Sequence, residues 1–298
     1  MGLTTYRDMD RATLDREYNA RATVPDIAPI IAGYRARTEA ARRALACVLD
    51  IPYGPGAAER LDVFPAATPP DGGPPGAGAP VFMFIHGGYW RLLDAADSGF
   101  MAPAFTAAGA CVVVVNYALA PSVTLDEIVR QCRAALAWVH RNIAAHGGDP
   151  SRIHVAGSSA GAQLAAMLAA GGDWPAGFGL PPWPVAGATL LSGLFGLEPV
   201  RLCHPNDWLA LDAAAAARNS PALLPPPRAG LPMLLSVAAT ETAEFKRQTR
   251  DFAATCARAG CAARVVEAPP ASNHFDIVLQ LCDATTPLAS AVLEVMRG

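Results

Sequence analysis

The chain has 298 residues, of which 52% are hydrophobic and only 16% are charged, and its formal net charge is −3. Such a composition allows a large buried core and excludes an intrinsically disordered chain. It provides no basic surplus that would neutralise phosphates, so nucleic acid is not an expected partner. The length fits one large α/β domain over residues 1–298.

Cysteine usage and the first residues bear on the cellular compartment. Seven cysteines are scattered without a C-x-x-C pair, and several fall within apolar patterns typical of helices or strands. Arg7, Asp8 and Asp10 lie where a signal peptide would need an apolar stretch, and no apolar run reaches the roughly 18 residues of a membrane span. We therefore expect reduced cysteines, no membrane association and a cytoplasmic location.

The N-terminal part of the chain differs in character from the rest. Residues 1–48 predict an N-terminal helical arm that packs over the main domain, with helical character from residue 13 onward. Two short strands are predicted at 49–53 and 59–64, and a Pro/Gly-rich tract at 65–80 predicts a flexible surface connection.

From residue 81 onward, short apolar runs alternate with longer amphipathic stretches. The runs predict strands buried on both faces at 81–85, 111–115, 153–156, 188–191, 231–237 and 263–267. Helices are predicted between and after them at 125–145, 160–170, 244–259 and 287–296. This alternation predicts an α/β fold with a doubly wound, mainly parallel sheet. Residues 194–227 fit it poorly and predict a cap-like insertion over the site.

A candidate nucleophile lies in the segment Gly157-Ser158-Ser159-Ala160-Gly161, which matches G-x-S-x-G. The segment follows the predicted strand 153–156 and opens a predicted helix, which makes the match more specific than the letters alone. In such a tight turn the nucleophile must be flanked by small residues and projects from the carboxyl edge of the sheet. We therefore predict Ser159 as the nucleophile. The alternative is a Gly/Ser turn that merely connects two elements.

A serine hydroxyl needs a base and a third group that orients the base. His274 is the histidine C-terminal to the strand at 231–237, and we predict it as the base. Glu241 follows that strand directly and is the predicted acid. Glu244 and Asp276 are the competing carboxylates, although the first suits a first helical turn and the second is close to His274 in sequence.

Glycines after the strand 81–85 predict an oxyanion hole, in the segment His86-Gly87-Gly88-Tyr89-Trp90. Backbone N–H groups of Gly87, Gly88, Tyr89 and Ala160 are the predicted donors. The predicted substrate pocket consists of Tyr89, Trp90, Ser158 and Phe275. We interpret His86 as a brace for this loop, because one base is sufficient.

No metal or cofactor is expected. The remaining histidines, His140, His146, His154 and His204, do not show metal-ligand spacing such as H-E-x-x-H. No G-x-G-x-x-G segment follows the first buried strand, so a dinucleotide is not indicated either.

With these residues identified, the chain resembles the kynurenine formamidase (arylformamidase) and related esterase branch of the α/β-hydrolases over nearly its whole length. The segments that carry the resemblance are Tyr18-Asn19-Ala20-Arg21, residues 86–90, residues 116–121, the serine segment, residues 218–221, Glu241 with residues 244–248, and Asn273-His274-Phe275. The resemblance implies an α/β-hydrolase fold, cofactor-free hydrolysis of aryl formamides or small esters, and frequent assembly as a homodimer.

Two positions depart from the pattern of that branch. Ser158 stands where histidine is common, which implies a change in what the pocket accepts, and residues 238–240 read Ala-Ala-Thr in place of a Gly-rich lead to the acid. The functional hypothesis is hydrolysis of a small-molecule acyl substrate. A general carboxylesterase is the alternative among enzymes, and a non-catalytic binding module is the alternative outside them.

Overall fold

The computed structural model describes residues 6–67 and 78–298. Its centre is an eight-stranded sheet in the order β1-β2-β4-β3-β5-β6-β7-β8. The strands are β1 Val48–Pro52, β2 Arg60–Phe64, β3 Ala79–Ile85, β4 Cys111–Val115, β5 Gly148–Ser158, β6 Gly187–Leu191, β7 Pro232–Ser236 and β8 Ala262–Val265. Every strand from β3 to β8 is parallel to its neighbours in that group, whereas β1 and β2 pair antiparallel. The predicted mainly parallel sheet is thus confirmed.

Helices cover both faces of this sheet. They are α1 Arg11–Glu17, α2 Ala28–Ala44, α3 Ala102–Ala107, α4 Leu125–Asn142, α5 Ala160–Ala169, α6 Glu198–Arg201, α7 Asn206–Leu209, α8 Ala213–Arg218, α9 Ala243–Arg258 and α10 Pro287–Arg297. One hydrophobic core contains buried residues of α4, α5 and α9, and the other contains those of α2, α3 and α10. The β-branched run Val112–Val115 lies between the two cores and is fully buried, as expected for a central strand.

The structure differs from the sequence prediction at one edge of the sheet. Residues 263–267 were predicted as a strand buried on both faces, but β8 pairs only with β7 and three of its four residues are exposed. That prediction was wrong, because alternating short runs do not reveal which strand ends the sheet. The Pro/Gly-rich tract predicted at 65–80 lies largely outside the described residues.

The N-terminal arm is fastened to the main domain by side chains. Its elements are α1, the 3-10 turn Ala20–Thr23 and α2. The Tyr18 hydroxyl donates to Glu244 of α9 at 2.8 Å, and the Tyr34 hydroxyl donates to the Phe275 carbonyl. Arg42 pairs with Asp62 of β2 at 2.5 Å. The arm therefore reaches from the antiparallel edge of the sheet to the loop that contains His274.

Residues 194–227 form three short helices, α6 to α8, and the 3-10 turn Pro221–Leu223. Arg218 binds Asp126 of α4 with two hydrogen bonds of 2.8 and 2.6 Å. Within residues 6–67 and 78–298, no helix combines the length and the apolar composition that crossing a bilayer requires.

Candidate active site

Ser159 lies in the turn between β5 and α5 with φ 57° and ψ −120°, a conformation that is strained for a residue with a side chain. Steric limits explain the two glycines around it. A Cβ atom on Gly157 would lie 2.2 Å from the Gly161 carbonyl oxygen, and one on Gly161 would lie 2.0 Å from the Ile85 carbonyl oxygen. The Ser159 N–H donates to the Leu191 carbonyl of β6 at 2.8 Å. Backbone packing thus fixes Ser159 at the carboxyl edge of the sheet.

His274 is held by a buried carboxylate. Its Nδ1 lies 2.8 Å from Oε2 of Glu241. The other carboxylate oxygen, Oε1, accepts the Ala238 N–H at 2.9 Å and the Ser192 hydroxyl. A proton on Nδ1 that points at the carboxylate leaves the lone pair of the imidazole on Nε2. This arrangement orients His274 and makes Nε2 its basic atom.

The two competing carboxylates have other partners. Glu244 accepts the Tyr18 hydroxyl at 2.8 Å and pairs with Arg247 at 2.7 Å. Asp276 accepts the Asn273 N–H at 2.7 Å. Within the described part of the chain, Glu241 is the carboxylate that hydrogen-bonds to the His274 ring.

Ser159 and His274 line the same cavity, which has a volume of about 660 Å³. Both residues are largely buried, with 6% and 5% exposure. No hydrogen bond joins the Ser159 hydroxyl to the imidazole among the contacts of the described residues. Such contacts often tighten only when substrate is bound. The candidate nucleophile and the candidate base therefore line one cavity, but no hydrogen bond links their side chains.

The loop after β3 has an unusual backbone. Gly88 has φ 96°, and a Cβ atom there would lie 2.2 Å from the Leu92 carbonyl oxygen. Tyr89 and Trp90 follow with φ 52° and 56°, in the left-handed region that residues with side chains seldom adopt. Consecutive strained residues persist only where the surroundings enforce them, and they are common at functional sites.

The backbone N–H groups that were predicted as oxyanion donors have no acceptor within residues 6–67 and 78–298, and they belong to Gly87, Gly88, Tyr89 and Ala160. Gly87 packs so closely on the serine turn that a Cβ atom would lie 2.7 Å from the Ser158 carbonyl oxygen. Free donors on two facing turns, one of them a helix N-terminus, can stabilise a negative oxygen.

Of the predicted pocket residues, Tyr89, Ser158 and Phe275 line the cavity, but Trp90 does not. The Trp90 indole is fully buried beneath the loop and donates to Gln163 Oε1 at 3.0 Å. The strained turn directs the Tyr89 side chain into the cavity and the Trp90 side chain into the core, and the sequence did not reveal this difference. Trp90 is therefore corrected to a support for the loop.

His86 is arranged as a brace. Its ring stacks on Tyr117 with centroids 4.1 Å apart, and its Nδ1 lies 2.9 Å from the Gly87 carbonyl oxygen. Burial lowers the pKa of His86 to about 4, so the ring is neutral at neutral pH. A neutral ring packed in this way suits the interpretation of His86 as a structural residue.

Sequence reasoning missed several residues that line the cavity, namely Arg21, Tyr34, Arg91, His204 and Trp208. These residues come from three places: the arm, the loop after β3, and the segment that contains α7 and the turn before it. No sequence motif links these segments. Ser192 was also missed, although it directly follows β6 and could have been found, because residues after adjacent parallel strands meet at one edge.

One group of potential metal ligands occurs in the described ranges, formed by Asp15, Cys203 and His204 with ligand atoms within 4.8 Å of one another. Asp15 already accepts the His204 N–H at 2.6 Å and lies 3.6 Å from the Arg11 guanidinium. Burial raises the pKa of the Cys203 thiol to about 12, which keeps it protonated at neutral pH. Sequence spacing missed this group because Asp15 is distant from the other two.

Comparisons with known proteins agree with this fold. A family model described as the alpha/beta hydrolase fold matches residues 82–274. Kynurenine formamidase from Salmo salar is 30% identical over 99% of both chains, and esterase LipQ from Mycobacterium tuberculosis is 35% identical over 55% of this chain and 39% of its own. The crystal structure of a thioesterase candidate from Silicibacter superposes with a TM-score of 0.78 at 25% identity, covering 96% of this chain and 99% of that chain.

The chain belongs to the α/β-hydrolase family, and it is an enzyme of the serine hydrolase class. Within that family, the full-length match assigns it to the kynurenine-formamidase-like branch, as the motifs of its sequence predicted.

Proposed function

We propose that this chain hydrolyses aryl formamides through a formyl-enzyme on Ser159. The observation that carries the proposal is the buried contact between His274 and Glu241, which orients the His274 imidazole. His274 and the strained Ser159 line the same cavity. Full-length similarity to a kynurenine formamidase supports the formamide as substrate.

The proposed reaction gives each of these groups one role. His274 Nε2 takes the hydroxyl proton while Ser159 Oγ adds to the formyl carbon, and Glu241 stabilises the resulting imidazolium. The N–H groups of Gly88, Tyr89 and Ala160, with Gly87 beside them, hold the oxyanion. The proton then moves to the nitrogen of the leaving aryl amine as the C–N bond breaks. Water repeats the sequence on the formyl-enzyme and releases formate.

A second candidate function is that of a general carboxylesterase. It would use the same residues, and the partial match to an esterase together with the mainly apolar cavity wall favours it. Parallel measurement of kcat/KM on N-formylkynurenine and on p-nitrophenyl acetate separates the two. We expect the formamide to be turned over at a rate comparable with the ester or faster. A negligible formamide rate beside rapid ester hydrolysis would leave only the esterase.

The nucleophile can be identified independently of substrate. A fluorophosphonate probe should label the wild-type chain at Ser159, as mapped by peptide mass spectrometry, and should not label Ser159→Ala. The neighbouring Ser158→Ala variant is the matched control and should retain labelling at Ser159. Labelling at another serine would contradict the assignment.

Two further expectations are part of the proposal. Assembly as a homodimer is testable by light scattering of the purified chain. A cytoplasmic location is testable by fractionation of the source cells.

A further inference from the structure

The wall of the active-site cavity carries positive charge only. Its formally charged side chains are Arg21, from the turn Ala20–Thr23, and Arg91, from the loop after β3, and no carboxylate of the described residues lines it. The rest of the wall is largely apolar and aromatic. A cavity with two cations and no internal counterion attracts an anionic ligand.

Arg91 is held in place without using the hydrogen-bond donors of its guanidinium group. Its main-chain N–H donates to the Gly88 carbonyl at 3.0 Å, and its guanidinium carbon lies 4.8 Å from the centre of the Trp208 ring. Trp208 in turn donates its indole N–H to the Tyr89 carbonyl at 3.0 Å. A guanidinium stacked on an aromatic face keeps its in-plane N–H groups free, and these match a carboxylate.

Arg21 is similarly free of an acidic partner. Asp26 lies beside it in a smaller adjoining cavity, but its carboxylate accepts the Ala28 N–H at 2.9 Å. Other arginines of the arm are paired: Arg35 binds Asp97 at 2.7 Å and Arg42 binds Asp62 at 2.5 Å. Neither Arg21 nor Arg91 forms an ion pair within residues 6–67 and 78–298.

The histidines in the wall do not change this balance. Burial lowers the pKa of His204 and lowers that of His86 to about 4, so both rings are neutral at neutral pH. The Nδ1 atom of His274 faces Glu241, whose carboxylate does not line the cavity. The formal positive charge of the cavity wall therefore comes from the two guanidinium groups.

We propose that Arg91 and Arg21 form an anion-binding rim, and that these two side chains bind a carboxylate of the acyl substrate at a position away from the bond that is cleaved. The inference rests on the proposed function in that Ser159 cleaves the substrate, and it adds which part of the substrate is recognised and by which residues. Arg91 and Arg21 are positioning residues, since they bind a group that does not react.

The test compares substrates that differ only in charge. One pair is para-formamidophenylacetate and para-formamidophenylacetamide, and the other is para-acetoxyphenylacetate and para-acetoxyphenylacetamide. We expect the wild-type chain to prefer the anionic member of each pair in kcat/KM, chiefly through KM. In Arg91→Gln and in Arg21→Gln the anionic-to-neutral ratio should fall about tenfold, the effect of losing one hydrogen bond to a charged group at an exposed position.

Two further variants show whether charge or packing is responsible. Arg91→Lys should retain more of the preference than Arg91→Gln, because it keeps the charge but not the planar donors. Arg250→Gln removes the same charge from an exposed position of α9 outside the cavity and should leave the ratio unchanged. Added salt should reduce the wild-type preference, because exposed charges are screened.

The proposal is overturned if the wild-type chain has no preference for the anionic member of either pair, or if the variants lower both members equally. These outcomes differ from a failure of the proposed function. If the formamides are not cleaved but the ester pair is discriminated through Arg91 and Arg21, the anion-binding rim stands and the formamidase proposal falls.

Discussion

The serine turn and the outer wall line the same cavity but are held in place by different means. Ser159 is fixed by its own backbone, since the neighbouring glycines leave no room for a Cβ atom and its N–H is bound to β6. The outer wall is fixed by side chains from distant segments, as in the contacts of Tyr18 with Glu244 and of Tyr34 with Phe275.

This difference teaches where such a protein can vary. Replacing Gly157 or Gly161 with a larger residue would displace Ser159 itself, because the added Cβ atom would clash with backbone atoms that have no room to move. A change in the arm would alter the shape of the cavity while leaving the sheet and the serine turn intact. We expect variation in substrate preference to arise from the arm and from residues 194–227, and loss of activity to arise from changes at the carboxyl edge of the sheet.

The largest expected effect tests the serine turn. Ser159→Ala should lower kcat by roughly 10⁴ to 10⁶, because the covalent step is lost while binding and the oxyanion donors remain. The measurement is steady-state turnover of the best substrate, with thermal unfolding to establish that the fold is intact. Ser158→Ala is the control, and we expect its kcat to stay within about tenfold of wild type, since Ser158 lines the cavity without attacking substrate. An unchanged rate for Ser159→Ala would reject the mechanism.

A smaller loss is expected at the acid. Glu241→Gln should lower kcat by about 10³ to 10⁴, because an amide no longer stabilises the imidazolium or fixes the tautomer of His274. Asp276→Asn is the matched control and should change kcat much less, since Asp276 binds the Asn273 N–H and does not contact the ring. Full activity of Glu241→Gln would transfer the role to another carboxylate.

The smallest effect is expected in the outer wall. Tyr18→Phe removes a buried hydroxyl that binds both Glu244 and Gln248. The loss should destabilise the fold by about 1 to 3 kcal/mol and raise KM several-fold with little change in kcat. Urea unfolding and steady-state kinetics measure the two effects. Tyr6→Phe, whose hydroxyl has only a 3.5 Å contact with Arg247, is the control. If Tyr18→Phe lowered kcat as much as Glu241→Gln does, the idea that the outer wall affects binding and not the catalytic step would be wrong.

Local sequence patterns predict candidate site residues in the segments that come after strands of the sheet. Ser159, Glu241 and His274 were each predicted from their place after a run of apolar residues, because parallel strands present their carboxyl ends at one edge. The same reasoning could have found Ser192. It could not separate Tyr89 from Trp90, since the direction of each side chain depends on a strained turn whose dihedral angles are not evident from residue types.

The sequence by itself determined the order of strands and helices along the chain, the parallel character of the sheet and the residue types of the serine turn, because these depend on periodicity and on steric limits between near neighbours. Only the tertiary structure decided that β8 is an exposed edge, that Trp90 lies in the core, and that Arg21 and Arg91 line one cavity. These features depend on contacts between segments far apart in the chain, which residue spacing does not encode.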